Sequence, residues 1–262
     1  MTRLNMFLAL CIFAFVEAAQ AQSAHVLGQV ICNTLSCQLE GAKIVGEIDL
    51  STTDKVRQLL DQARERGARE KKRTYSLRLS VDSGGGSVIA AMAIGRILRE
   101  DRVSVSLGYD DKCYSSCVLL LAGAVSRIIR SKAVGIHRPS YVGLPEDVAP
   151  NKVKERYEQL LQAIRSYLRE MNVSERLADA MFRVAPEDIR LLSSAELESY
   201  GLTQSDPVEA EMRNLESTKL FGLDRREYLR RKALSASRCG PIKDTLQYFA
   251  CDEAIKKTGT AP

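Results

Sequence analysis

Histidine is nearly missing from this chain: His25 and His137 are the two in 262 residues. There is also no Cys-x-x-Cys pair, so the thiolate and imidazole framework of a common zinc site is not available and no metal is expected. The G-x-G-x-x-G spacing of a dinucleotide-binding turn does not occur, nor does the lysine of a P-loop. No cofactor is implied, and any activity is expected to be ATP-independent. Charge of one sign is not in excess either: the formal net charge is +5, with positives and negatives interspersed. The densest basic run, Arg225 to Lys232, reads as a solvated helix face, so no nucleic-acid partner is expected. Internal repeats and low-complexity stretches are absent. The longest apolar run near the start, Met6 to Val16, is too short to span a bilayer comfortably.

That run has another reading. Arg3 supplies a short basic region before it, and Ala19-Gln20-Ala21 fits a small-x-small cleavage pattern, which together predict a signal peptide over residues 1–21. Cys11 lies inside the apolar run behind the bulky Leu10, which does not suit a lipoprotein cysteine. An uncleaved segment would be the chain's one contact with a membrane. The mature chain then has six cysteines, Cys32, Cys37, Cys113, Cys117, Cys239 and Cys251, and is expected to be periplasmic or secreted. An even count in an exported chain favours disulfides. Six cysteines allow 15 pairings, of which the local pairs 32–37, 113–117 and 239–251 are the simplest.

At 45% hydrophobic and 27% charged, the chain has the mix of one sizeable core with a small appendage. Ala42 to Leu50 reads as a strand. The stretch from Ser51 to Gly67 reads as a helix capped by Ser51 or Thr52. Leu77, Leu79 and Val81 alternate at strand period. A glycine turn follows, then a helix over "VIAAMAIGRILRE", a strand in "RVSVSLGY", a helix-like "CYSSCVLLLAGAV", and strands around Ile128 and Val134. Strands and helices alternate, which predicts an α/β fold with largely parallel strands. Tyr157, Leu160, Leu161, Ile164 and Leu168 mark a long amphipathic helix. A second helix is expected to be capped by Ser174, and a short third to end at Gly201. A soft boundary near Ser205 separates a main domain, residues 22–205, from a helical C-terminal extension, residues 206–262, that carries a disulfide.

Three places carry chemistry. In "VDSGGGSVIAAMAIG", consecutive Gly84, Gly85 and Gly86 join a strand to a helix. Such a turn lets backbone N–H groups face a developing negative charge, as an oxyanion hole requires; a plain tight turn is the alternative. In "DDKCYSSCVLLLAGAV", Ser115 and Ser116 stand where a buried helix starts. They are either caps or a nucleophile at the positive end of the helix dipole, in a turn that a Cys113–Cys117 bridge would brace. In "VGIHRPSY", His137 follows a short apolar strand and is the one imidazole the core offers as a base. His25 falls in a stretch expected to be frayed.

Taken in order, these segments resemble the Clp protease proteolytic subunit of the Clp/crotonase superfamily, and more closely the exported Clp-like proteins of bacteria. "DSGGGSVIAAMAI" is similar to that family's Ser-Pro-Gly-Gly turn, "CYSSCVLLLAGA" to its nucleophile helix, "GIHRP" to its histidine motif, and "LLSSAELESYGL" to its late segment. The resemblance covers roughly Lys43 to Leu202. It implies a ββα superhelix acting as a serine-type hydrolase on peptide or protein substrates. Ser115 would be the nucleophile, with Ser116 as rival, and His137 the base. The amides of Gly85 or Gly86, and of Ser116, would hold the oxyanion. The family's aspartate position falls on Ile189, with Asp188 one residue away as the acid. The helix matching the family's ring-packing handle is shorter here, so a homo-oligomer stays open and a ring does not follow. A non-catalytic peptide-binding or assembly module on the same fold is the alternative, with a crotonase-like thioester enzyme as a third.

Overall fold

The computed structural model describes residues 23–33, 36–71, 73–74, 77–129, 132–140, 149–203 and 205–260. The expected signal segment, residues 1–21, lies outside the described residues. The chain opens with an antiparallel hairpin, β1 (His25–Cys32) and β2 (Ser36–Val45), closed by the Cys32–Cys37 disulfide. His25 is therefore not frayed: it pairs in register with Val45. Helix α1 (Leu50–Arg69) starts one residue before the expected caps. Its N-cap is Asp49, whose carboxylate accepts the Thr52 N–H at 2.8 Å while the Thr52 hydroxyl accepts the Asp49 N–H at 3.2 Å. Thr52 completes the box but is not itself the cap.

β3 (Arg73–Thr74) and β4 (Arg78–Asp82) follow, then α2 (Val88–Glu100), capped by the Ser87 hydroxyl, and β5 (Ser104–Ser106). Next come β6 (Cys113–Tyr114), α3 (Cys117–Gly123), β7 (Ser126–Ile128) and β8 (Val134–Ile136). The helix expected from Cys113 onward thus begins four residues later. Cys113 and Tyr114 are drawn into a parallel ladder with Val134 and Gly135, a long-range pairing that local periodicity cannot show. The second half contains α4 (Pro150–Glu170), α5 (Arg176–Phe182), β9 (Arg190–Leu191) and α6 (Ser194–Tyr200). Helix α5 is not capped by the Ser174 side chain. Its N-cap position is Glu175, and Ser174 contributes its carbonyl to the Leu177 N–H. Helix α6 has a Ser193–Glu196 capping box and ends on left-handed Gly201.

The fold is mixed α/β. One sheet runs β1-β2-β4-β5-β7, parallel throughout except for the first pair, with β3 parallel beside β2. A smaller sheet runs β6-β8-β9, with β6 and β8 parallel and β9 antiparallel. Every residue of α3 is buried, so its sequence is apolar all round instead of striped. It packs on α2 through two glycines: a Cβ built on Gly123 would lie 2.2 Å from the Gly95 carbonyl oxygen. The C-terminal carbonyls of α3 accept hydrogen bonds from two arginines. Arg127 reaches Leu121 and Ala122, and Arg99 reaches Gly123. Burial lowers the Arg127 guanidinium to about 10, and neighbouring Arg99 adds to the effect.

Past Ser205 lie α7 (Pro207–Phe221), α8 (Arg225–Cys239) and α9 (Thr245–Thr258). The Cys239–Cys251 bridge and Ile255 make a small core of their own between α8 and α9. Helix α7 is tied to the main body by ion pairs: Arg99 with the buried N-cap Asp206, and Arg102 with buried Glu209. Among the described residues, no helix is long and apolar enough to cross a membrane. Three disulfides mark a protein that matures in an oxidising compartment.

Candidate active site

The parallel strands β6 and β8 lie side by side, and both finish at the same edge of the molecule. In register, Tyr114 pairs with Gly135, and the Ser115 N–H extends the ladder to the Gly135 carbonyl at 2.9 Å. Ser115 and His137 therefore leave adjacent strand ends together. Both line one cleft of about 900 Å³, along with the glycine turn 84–86. Convergence of loops at the C-terminal ends of parallel strands is the usual way such folds assemble a site.

Ser115 is not a helix cap. It occupies the sharp turn between β6 and α3 with φ at +57°, a left-handed conformation that a side-chain-bearing residue seldom adopts. Ser116 takes the N-cap position but makes no side-chain capping bond, and its hydroxyl is buried without a partner among the described residues. Of the two serines, Ser115 lines the cleft and Ser116 does not. The Cys113–Cys117 disulfide brackets this turn, and both cysteines are fully buried.

The glycine turn is held between two neighbouring chain segments. On one side Ile48 donates to the Gly85 carbonyl at 2.8 Å and accepts the Ser87 N–H at 2.7 Å. On the other, Ser83 donates its N–H to Lys112 and accepts that of Tyr114. Because peptide groups alternate in extended chain, the Gly86 N–H points away from Ile48, and no hydrogen bond uses it among the described residues. Gly85 differs: its N–H already donates to the Ser83 hydroxyl at 3.1 Å, so it is not a free oxyanion donor. Ser83, which the motif reading passed over, also donates to the Gly46 carbonyl at 2.6 Å and so pins the turn. A serine two residues ahead of a glycine is a familiar local turn former, so that signal was in the sequence. Both glycines are obligatory. At φ +113° a Cβ on Gly85 would meet Ser115 Cβ at 2.6 Å, and at φ +135° one on Gly86 would meet the Ile48 carbonyl oxygen at 2.2 Å.

His137 is half-buried, and its Nδ1 lies 3.0 Å from the Arg138 carbonyl oxygen. Donation from Nδ1–H to that carbonyl leaves Nε2 as the acceptor, the tautomer a general base needs. No hydrogen bond joins His137 to Ser115 or to Asp188 among the described residues. Asp188 is exposed and is not brought to the imidazole. The ladder stops short of both residues: Gly135 pairs with Leu191 and Ile136 with Arg190, and Asp188 lies in the turn before β9, where its N–H donates to the Ala185 carbonyl at 3.1 Å.

These features define a mixed α/β protein whose cleft unites a strained serine, an oriented imidazole and a pinned glycine turn. No protein-family model matches the chain, and no curated protein matches it in sequence. Among solved structures it is similar to one of a mutant of the 1510-N membrane-bound stomatin-specific protease. The likeness has a TM-score of 0.46 and 15% identity, over 67% of this chain and 82% of that one. A match of that depth bears on neither activity nor site.

Proposed function

We propose that this protein is an exported serine hydrolase, a peptidase on a Clp/crotonase-like ββα superhelix, acting on peptide or protein substrates in the periplasm or outside the cell. In this reading Ser115 Oγ attacks the carbonyl carbon while His137 Nε2 takes its proton. The carbonyl oxygen becomes an oxyanion held by the Gly86 and Ser116 N–H groups. His137 then returns the proton to the leaving amine, and water repeats the cycle on the acyl-enzyme. The Arg138 carbonyl does the orienting that an aspartate does elsewhere, without that residue's negative charge. On a protease template, loss of the aspartate costs on the order of 10⁴ in rate, so turnover is expected to be slow.

The observation that carries this reading is the shared cleft: Ser115, His137 and Gly86 all line it. A fluorophosphonate probe tests it. Covalent labelling is expected at Ser115, to be lost in Ser115→Ala, to fall steeply in His137→Ala and to persist in Ser116→Ala. A second reading, a peptide-binding module without turnover, is favoured by the absence, among the described residues, of a hydrogen bond from His137 to Ser115 or to the exposed Asp188. Failure of several such probes to label Ser115 would select it.

A further inference from the structure

Two charged side chains line the cleft without being part of the reaction chemistry. Glu47 and Lys112 are both exposed, and neither forms an ion pair or side-chain hydrogen bond among the described residues. Their placement follows from the way the glycine turn is held. Glu47 lies in the segment 46–48 that bonds one side of the turn, and Lys112 in the segment 112–114 that bonds the other. Glu47 stands directly over the oxyanion glycine, since a Cβ built on Gly86 would be 2.9 Å from Glu47 Cγ. Asp82, the other charged residue of the lining among the described residues, accepts the Lys112 backbone N–H at 3.2 Å. Among the described residues, the cleft therefore carries Glu47 on one flank of the carbonyl-binding turn and Lys112, with Asp82 at its backbone, on the other.

We infer that Glu47 and Lys112 select the substrate by charge: the preferred peptide carries a basic side chain on one side of the bond held at the turn and an acidic one on the other. The inference rests on reading this cleft as the place where a peptide lies. An unpaired charge at a cleft wall attracts its opposite and rejects its like, and the wrong order places two like pairs together. At this exposure each contact changes affinity by about threefold at low salt, so that two together give about tenfold, and the preference weakens as the Debye length falls to about 8 Å at physiological ionic strength.

The test uses the full chain carrying Ser115→Ala, so that binding is measured without cleavage. Four acetylated, amidated fluorescent hexapeptides differ only at the two central positions: Lys-Glu, Glu-Lys, Lys-Lys and Glu-Glu. One mixed order is expected to bind about tenfold or more tightly than its reverse, with both like-charged peptides in between. The double exchange Glu47→Lys with Lys112→Glu is expected to invert the two mixed orders. Because both positions are exposed, circular dichroism should show the fold unchanged. Equal dissociation constants across the four peptides, no measurable binding, or an order untouched by the exchange would each overturn the inference. Labelling of wild-type Ser115 is scored separately: its absence removes the hydrolase reading and leaves the charge selection standing or falling on the binding data alone.

Discussion

Ser115 is held in a left-handed backbone conformation at a position where glycine would be comfortable. Strain of this kind is kept where a reactive group must stand clear of its neighbours. Ser115→Gly is therefore expected to raise stability by about 1 kcal/mol, read as a higher urea midpoint, while abolishing probe labelling. A Ser115→Gly protein less stable than wild type would show that the turn stores no strain. At Gly85 the opposite holds. Gly85→Ala forces a methyl into Ser115 Cβ and should cost roughly 1–3 kcal/mol, with labelling slowed by more than tenfold. Ile189 offers a gain. It lies one residue before β9 with its side chain beside Gly135 and 44% of its surface exposed, so Ile189→Asp tests whether a carboxylate there reaches the imidazole two residues further along the chain from Gly135. Labelling of Ser115 should then accelerate by at least tenfold, whereas Asp188→Ala should leave it unchanged. Equal rates in wild type and Ile189→Asp would mean that a carboxylate at residue 189 does not reach the imidazole.

Among the elements, α3 decides how firmly the Ser115 turn is seated. It meets α2 backbone to backbone at Gly95 and Gly123, and Tyr167 of α4 donates its hydroxyl to the Leu119 carbonyl at 2.8 Å. Burial, foremost, holds that phenol well above its ordinary pKa, so it stays a donor. Tyr167→Phe removes this buried hydrogen bond, while the Leu119 carbonyl keeps its helical partner, and should cost about 0.5–1.5 kcal/mol in denaturant unfolding. A loss below about 0.5 kcal/mol, the low end for a net hydrogen bond, would mean that solvent reaches Leu119. Helices with an apolar stripe and a recognisable end, such as α1, α2, α4 and α6, were legible in sequence because those signals are local. The start of α3 was not. Cys113 and Tyr114 look helical beside their apolar successors, and only the ladder with β8 makes them strand. The cap of α1 was missed by two residues because Asp49, Ser51 and Thr52 all cap well, and Asp49 also accepts the Ser23 hydroxyl.

For the molecule as a whole, the C-terminal extension is attached through charges. Asp206 and Glu209 are each pushed up by burial, yet both end below the usual carboxylate range. Asn172, Arg99 and a backbone N–H outweigh burial at Asp206, and Arg102 and Arg213 do so at Glu209. Carboxyls with a depressed folded pKa add stability above their unfolded value, near 4, and lose it as pH falls below that. Limited proteolysis between α6 and α7 is accordingly expected to be slow at pH 7 and to accelerate below about pH 4. Resistance that persists to pH 2 would mean that apolar packing holds the extension instead. Arg99→Ala, which strands Asp206 in the interior, should cost about 3 kcal/mol or more. Thiol titration of the native protein should find none of the six paired cysteines free.

The amino-acid order alone determined the alternation of strands and helices, the glycine turn, the short-range cysteine pairs and the candidate serine and histidine. Each of these is written in spacing over a few residues. Tertiary structure alone decided which serine faces the cleft, which glycine keeps a free N–H, and that among the described residues the imidazole bonds to the Arg138 carbonyl and not to Asp188. Those outcomes depend on strand register, where a displacement of one residue exchanges the two faces of a sheet. Register is set by contacts between segments tens of residues apart, and no local pattern in the chain records it.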